Sequence, residues 1–160
     1  MHAALIQSPI GPVYVEEDDG RLTRLHTNSD AHAPAPTTGL LAEVERQLAE
    51  YFAATRTTFD LPLHENGTAF EKAVWARLRT IPYGTTITYG ELARELNTSP
   101  RAVGRANGRN QISIIVPCHR VIGADGSLTG YAGGIPTKQR LLMHEGSFAG
   151  RPSGPPGVAS

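Results

Sequence analysis

Residues 88–108 read TYGELARELNTSPRAVGRANG. Thr88-Tyr89-Gly90-Glu91 has the Thr-x-x-Glu form of a capping box, in which side chain and backbone exchange hydrogen bonds at a helix start. It predicts a short helix running through Leu96. Asn97-Thr98-Ser99 then forms a turn, and Ser99 can cap a second helix with Pro100 at its first position, where proline is favoured. That helix takes Arg101 through Asn107 and ends near Gly108. Helix, tight turn, short basic helix is helix-turn-helix spacing. Small residues at 102, 104 and 106 let the second helix approach another backbone closely, and Arg101, Arg105 and Arg109 can reach phosphates. Two short helices joined by a turn also occur in many α-rich domains, so geometry alone leaves DNA binding the less common reading.

Charge points the same way without settling it. The 160 residues carry 15 Lys+Arg and 15 Asp+Glu, a formal net of zero. Residues 1–64 hold 4 basic and 9 acidic side chains, while residues 65–147 hold 10 basic and 6 acidic. Arg94, Arg101, Arg105, Arg109 and Arg120 are accompanied by a single acid in that interval, Glu95. Such a patch suits a polyanion, although a solvated helix face is the plainer reading of the count alone.

Around this centre the chain reads as a mixed α/β protein. Ala4-Leu5-Ile6, Val13-Tyr14-Val15 and Leu22 to Leu25 alternate like strands, with Ser8-Pro9-Ile10-Gly11-Pro12 and Glu16 to Gly20 as turns. Residues 28–39 are a polar loop. Leu40, Leu41, Val44, Leu48, Tyr51 and Phe52 recur at helical spacing and predict an amphipathic helix over 39–54. Thr57 to Leu63 is expected to return as a short strand. Thr68-Ala69-Phe70-Glu71 is another capping box, with Phe70, Val74, Leu78 and Ile81 on one expected face and Pro82-Tyr83-Gly84 as the stop. Ile112 to Val116 is expected as a buried extended segment, Val121 to Leu128 turns at Ala124-Asp125-Gly126, and Lys138 to Glu145 closes with a helix that Gly146 can cap. The expected organisation is an N-terminal sheet-plus-helix α/β domain over 1–64, a mainly helical domain with a winged-helix-like helix-turn-helix over 65–147, and a flexible tail over 148–160.

Composition excludes several classes. No apolar run reaches membrane-span length, and the first residues lack the basic flank of a signal peptide. One cysteine rules out an internal disulfide framework and argues for a reducing, intracellular, cytoplasmic setting. Six scattered histidines show no metal-ligand spacing, so no metal is expected. The lone cysteine lies in Pro117-Cys118-His119-Arg120. A thiol attacks as its thiolate, and a neighbouring histidine and arginine favour that form; a carboxylate orienting the histidine would complete a Cys-His-acid relay. A lone cysteine is more often a buried structural residue, and only its setting changes the balance.

That setting is specific. Ile115-Val116-Pro117-Cys118-His119-Arg120-Val121-Ile122-Gly123 resembles the active-site signature of the O6-alkylguanine-DNA alkyltransferases. Arg101-Ala102-Val103-Gly104 through Asn107-Gly108 and Asn110 is similar to their recognition helix and asparagine hinge. Ile81-Pro82-Tyr83-Gly84 and Thr88 to Ala93 resemble the preceding helix end and first helix-turn-helix element. Gly130-Tyr131-Ala132-Gly133-Gly134 with Lys138, and Leu141 to Gly146, resemble the closing segment, and Ser8 to Pro12 the start of the N-terminal domain. The likeness spans residues 3–147, strongest from 68 onward.

The resemblance implies DNA repair by direct reversal. Methyl or other alkyl groups on O6-alkylguanine, and by extension O4-alkylthymine, would pass irreversibly to Cys118 from a base flipped out of duplex DNA. The helix-turn-helix would enter the minor groove, with Thr88, Ser99, Arg101, Ala102, Gly104 and Arg105 at the DNA and Arg101 filling the vacated stack. His119, through a water shared with Asn110, would take the thiol proton, Glu145 would orient His119, and Tyr89 would assist proton delivery to the departing base. Val121, Tyr131, Ala132, Gly133 and Lys138 would line the base pocket. A thioether is a poor leaving group, so each molecule would act once, without a cofactor. The partner would be double-stranded DNA carrying alkylated guanine, bound by a monomer with no obligate protein partner and no membrane, with cooperative association along DNA as an alternative. Plainer readings stand beside these: Glu145 as a surface acid, Tyr89 as a core ring, Asn110 as a helix terminator, Arg101 as a phosphate clamp, and the glycine-rich stretch as an ordinary turn.

Two departures from the family pattern stand out. Gln111 follows the asparagine where proline is common, and the turn before Arg101 is shorter, with Pro100 replacing a small residue. The rival readings are a lesion-binding relative without transfer activity, typically with tryptophan in place of the cysteine, a cysteine hydrolase that turns over, and a transcriptional regulator, for which no dimer helix is present.

Overall fold

The computed structural model describes residues 1–129, 131 and 133–147. Gly130, Ala132 and the expected tail over 148–160 lie outside the described residues. The chain forms two compact units, one of residues 1–66 with 111–115, the other of residues 67–110 with 116 onward. Among the described residues, no helix is long and apolar enough to cross a membrane.

In the first unit, β1 (His2–Ile6), β2 (Val13–Asp18) and β3 (Arg21–His26) form an antiparallel sheet in sequence order. Asp19 and Gly20 join β2 to β3 with φ of 52° and 75°. Two successive positive φ values match the right-handed twist of a two-residue hairpin, and Asp-Gly suits that conformation. Ala4, Ile6, Val13, Val15, Leu22 and Leu25 are buried, as are Leu41, Val44, Leu48 and Tyr51 of α1 (Gly39–Phe52). These are the alternating strand positions and the helical stripe that the sequence predicts.

The strand expected over Thr57 to Leu63 does not form. Gln47, buried on α1, accepts from the Asp60 amide at 2.9 Å and donates to its carbonyl at 3.0 Å, which holds that backbone as an irregular segment. Pro62 has no N–H to give. Only a single parallel bridge, Leu22 to Leu63, reaches β3. The extended segment expected over Ile112 to Val116 is likewise corrected. It is buried, but after one bridge from Ile112 to Leu25 it turns, with Ile114 at φ 71° and Ile115 N–H donating to Ser113 O at 2.8 Å. That is a γ-turn, a strained conformation for a β-branched residue.

In the second unit, the capping boxes at Thr68/Glu71 and Thr88/Glu91 are complete and open α2 (Ala69–Leu78) and α3 (Tyr89–Glu95). Glu71, Val74, Trp75 and Leu78 form the inner face of α2, so Phe70, expected there, is 38% exposed. The reason is the cap itself. Glu71 must turn inward to accept from Thr68 N–H at 2.9 Å, which rotates its predecessor out, and Trp75 instead reaches Ala106 O with its indole N–H at 2.8 Å.

α3 ends with Asn97 at φ 54°, Asn97 N–H on Arg94 O and Thr98 N–H on Ala93 O. This is a Schellman stop with asparagine in the left-handed position. Ser99 then accepts from Ala102 N–H and caps α4 (Pro100–Gly108), completing the helix-turn-helix. β4 (Ile87–Thr88) pairs in parallel with β5 (Val121–Ile122). That short pairing sets the start of α3 beside the segment that follows the cysteine. α5 (Ile135–His144) begins three residues before the expected Lys138 and closes with Gly146 at φ 78°, its N–H on Met143 O and that of Ser147 on Leu142 O.

Candidate active site

Pro117 has φ −81° and ψ 66°, and Cys118 N–H donates to Val116 O at 2.8 Å. These are the marks of an inverse γ-turn, and proline's ring holds the φ it needs. The turn feeds directly into a 3₁₀ turn over Cys118–Arg120, all three residues buried. Cys118 therefore sits at a sharp bend rather than at the end of the expected strand, 4% exposed and without a disulfide.

His119 is fully buried, and its Nε2 lies 2.8 Å from Glu145 Oε2. Arg120 clasps the same carboxylate in a bidentate pair, Nε to Oε1 and Nη2 to Oε2, both at 2.9 Å, while its Nη1 donates to Ile81 O at 2.7 Å. The position of Glu145 is informative. It is the C-cap of α5, where the helix dipole disfavours an anion. Burial alone would raise its pKa; the hydrogen bond from His119 and the Arg120 guanidinium overcome this and hold the carboxyl well below the usual range. Burial lowers the His119 pKa, with Arg120 and Lys138 adding to the effect against the pull of Glu145. A neutral imidazole facing a carboxylate carries its proton on Nε2, because an ionised carboxylate can only accept. That leaves the Nδ1 lone pair as the basic site, and Nδ1 has no hydrogen-bond partner among the described residues.

These shifts fix the sign of an acid response. The unfolded histidine titrates near 6.5 and the unfolded glutamate near 4.5, both above their folded values. The unfolded state then binds more protons in each range, so stability falls as pH drops below 6.5 and again below 4.5. Urea midpoints at pH 7, 5.5 and 4 are expected to fall in that order.

A second cluster flanks the cysteine. Tyr89 Oη donates to Thr129 O at 3.1 Å, and Lys138 Nζ donates to Thr129 O at 2.7 Å and Val121 O at 2.6 Å. Burial raises the Tyr89 pKa and lowers that of Lys138 to about 8. Lys138 Nζ lies 5.7 Å from the Tyr89 ring centroid. Asn110 donates to Val116 O at 2.8 Å, bracing the cysteine turn from the end of α4. Val121 and Tyr131 are buried, whereas Gly133 is half-buried.

The structure thus brings Cys118, His119, Glu145, Asn110, Tyr89, Lys138 and Val121 into one unit. Arg101 and Arg105 are exposed on α4, as is Ser99 at its start, and Ala102, Gly104 and Thr88 are half-buried. Ala132, expected in the base pocket, lies outside the described residues. The sequence missed one contact and one residue. Arg120, read only as a cationic neighbour of the thiol, also clamps Glu145. Asn107, read only as the end of a helix, is 2% exposed and donates to Cys118 O at 3.3 Å. Its spacing of six residues from the exposed Arg101 was the available signal, since the two fall on different faces of one short helix.

A family model described as "6-O-methylguanine DNA methyltransferase, ribonuclease-like domain" matches residues 1–64, and one described as "6-O-methylguanine DNA methyltransferase, DNA binding domain" matches residues 69–147. A methylated-DNA–protein-cysteine methyltransferase of Methanosarcina acetivorans is 45% identical over 155 residues, covering 92% of this chain and 99% of its own. The constitutive enzyme of that name from Bacillus subtilis is 42% identical over 152 residues, covering 86% of this chain and 90% of its own. Among solved structures, Mycobacterium tuberculosis OGT in complex with DNA superposes with a TM-score of 0.82 at 47% identity, covering 92% of this chain and 94% of that one. With both halves of the fold matched in order, the chain belongs to the O6-methylguanine DNA methyltransferase family.

Proposed function

We propose that this protein repairs DNA by direct reversal, moving a methyl or other alkyl group from O6-alkylguanine, and from O4-alkylthymine, to the sulfur of Cys118. The observation that supports the reading is the buried His119–Glu145 pair directly following the buried Cys118. Its carboxylate is neutralised by Arg120, and His119 Nδ1 is its open basic atom. The thiol proton passes to His119 through a water held with Asn110. The Cys118 sulfur then forms a bond to the alkyl carbon as the bond from that carbon to O6 breaks. The departing guanine receives a proton with the help of the Tyr89 hydroxyl. Val121, Tyr131, Gly133 and Lys138 surround the base. Nothing in this chemistry regenerates the thiol, so one molecule removes one alkyl group, and no cofactor is needed. The protein acts inside the cell as a monomer on duplex DNA.

The test is intact-protein mass before and after mixing with a short duplex carrying one O6-methylguanine, followed by peptide mapping. The expected result is one methyl on Cys118 and no further turnover with excess substrate. An unmodified protein that still binds the duplex would replace this reading with lesion binding alone.

Thr88, Ser99, Arg101, Ala102, Gly104 and Arg105 face the DNA in this proposal, with Arg101 entering the stack as the base leaves it. Arg101→Ala is then expected to slow repair in duplex DNA by about 10-fold or more, on the scale of a few kcal/mol for unstacking, while sparing attack on free O6-benzylguanine. Equal losses on both substrates, measured as single-turnover rates, would remove Arg101 from base flipping.

A further inference from the structure

Ile81-Pro82-Tyr83-Gly84 reads in sequence as the stop of a helix, and the fold sets it against the charged pair behind the cysteine. Ile81 O accepts from Arg120 Nη1 at 2.7 Å. The Arg120 guanidinium carbon lies over the Tyr83 ring, 5.8 Å from its centroid. That ring meets His144 edge-on at 6.5 Å between centroids, and Tyr83 Oη donates to His144 O at 3.4 Å. Gly84 follows at φ 83°, and a Cβ there would stand 3.3 Å from Glu145 O. A positive φ with a backbone oxygen so near favours glycine. Three of these four residues thus meet Arg120 or the end of α5 that carries Glu145.

The arrangement bears on how strongly the two charges act. Arg120 is 6% exposed and the Glu145 side chain is fully buried, whereas Tyr83 is half-buried. Opposite charges attract more strongly where water does not screen them, and a cation over a ring face is held best when desolvated. Tyr83 supplies both conditions on its side of Arg120. Its hydroxyl responds to each charge: Glu145 adds to the upward push of burial on its pKa, and Arg120 opposes it.

His119 is where the pair matters. Cys118 and Arg120 face it from its own turn, and Glu145 and Lys138 from α5 and its cap; Tyr83 and His144 lie behind Arg120, and Tyr89 lies near Cys118. α2 packs against the same turn with Val74, Trp75 and Leu78, and its buried acid, Glu71, is held by Thr68 and Arg109. Arg120 and Lys138 disfavour the imidazolium, and Glu145 favours it. A carboxylate matched by a guanidinium pulls weakly on a further proton. Left to His119 alone, it would draw one onto the imidazole and occupy the Nδ1 lone pair.

We infer that Tyr83 is a positioning residue for the relay: its ring seals Arg120 against Glu145, so that the carboxylate stays matched and His119 stays available as a base. The inference rests on the proposed alkyl transfer and adds an element, residues 81–84, that regulates the charge of its proton acceptor.

Single-turnover methyl transfer from an O6-methylguanine duplex to Cys118 is measured over about pH 5 to 8.5, with saturating protein so that binding does not enter the rate. Circular dichroism at each pH confirms that each protein is folded. The rate of the unmodified protein is expected to fall on the acid side as His119 gains a proton from solvent. In Tyr83→Leu, which keeps bulk without a ring face, the midpoint of that fall moves up by about half a pH unit. That is about threefold in rate on the limb, with the high-pH plateau within about twofold. Tyr83→Phe keeps the ring, and its midpoint stays in place. Arg120→Gln moves the midpoint further in the same direction, by about one pH unit or more, and Arg120→Lys restores it in part. A merely structural role would lower the rate at every pH and leave the midpoint where it is. An unmoved midpoint in Tyr83→Leu would overturn the inference, whether or not Arg120→Gln folds. Equal movement in Tyr83→Phe and Tyr83→Leu, or a flat profile in every protein, would do the same while leaving alkyl transfer standing. Absence of methyl on Cys118 of the unmodified protein at every pH would overturn both.

Discussion

Cys118→Ala is expected to gain no mass from an O6-methylguanine duplex while binding that duplex as tightly as the unmodified protein. The substitution removes one sulfur from a side chain that is 4% exposed and keeps the backbone bonds of Cys118 N–H to Val116 O and of the Asn107 amide to Cys118 O. The cost in stability is about 1 kcal/mol, too little to unfold the site. His119, Glu145 and Arg120 keep their contacts. Binding and transfer are therefore separable at this residue. Any residual methyl transfer, located by peptide mapping, would assign the nucleophile elsewhere. Loss of binding with transfer would show that the thiol supports the fold.

Glu145→Gln is expected to be the most damaging isosteric change. The carboxylate accepts from His119 and twice from Arg120, and its own side chain is fully buried. A glutamine amide keeps the volume but removes the negative charge opposite a guanidinium that is itself only 6% exposed. Breaking one partner of a buried ion pair costs about 3–5 kcal/mol, because the remaining charge has lost its solvation and its counter-ion. For a chain of this length that lowers the melting temperature on the order of 10 °C. The chemical consequence is separate. If the amide oxygen stays with Arg120, its NH₂ faces His119 Nε2 and favours the tautomer protonated on Nδ1. The basic lone pair is then lost, and transfer slows by about 100-fold or more. Rates taken well below the lowered melting temperature isolate this effect. The acid response divides accordingly: the loss of stability below pH 4.5 should shrink in the variant. Transfer at the unmodified rate would reduce Glu145 to a structural partner of Arg120.

The regions that were legible in the sequence are those governed by neighbours in the chain. Thr68 with Glu71, Thr88 with Glu91, Ser99 with Pro100 and Glu145-Gly146 each specify a helix boundary through interactions that close within a few residues, whereas the turn expected over Glu16 to Gly20 narrows to Asp19-Gly20 because β2 runs on to Asp18. The apolar stripe of α1 was legible for the same reason, being a period along one helix. Pro117-Cys118-His119-Arg120 marked where chemistry should be sought, because a proline-held thiol beside an imidazole is itself a local arrangement.

Tertiary packing decided the rest. Thr57 to Leu63 has strand composition, but the Gln47 amide claims the Asp60 backbone and prevents a ladder. Ile112 to Val116 is β-branched and apolar, yet it bends at Ile114 in a conformation that local propensity opposes and the surrounding core must impose. Phe70 is more apolar than Glu71, but the acid lies inside because its hydrogen bond to Thr68 N–H requires it. At the site, residues 25 and 26 positions apart in sequence, His119, Arg120 and Glu145, meet only after α5 closes. Sequence spacing thus marks the thiol and its histidine. Only the fold sets Arg120 on Glu145 and the Asn107 amide on Cys118, because hydrogen bonds between distant residues have no period along the chain.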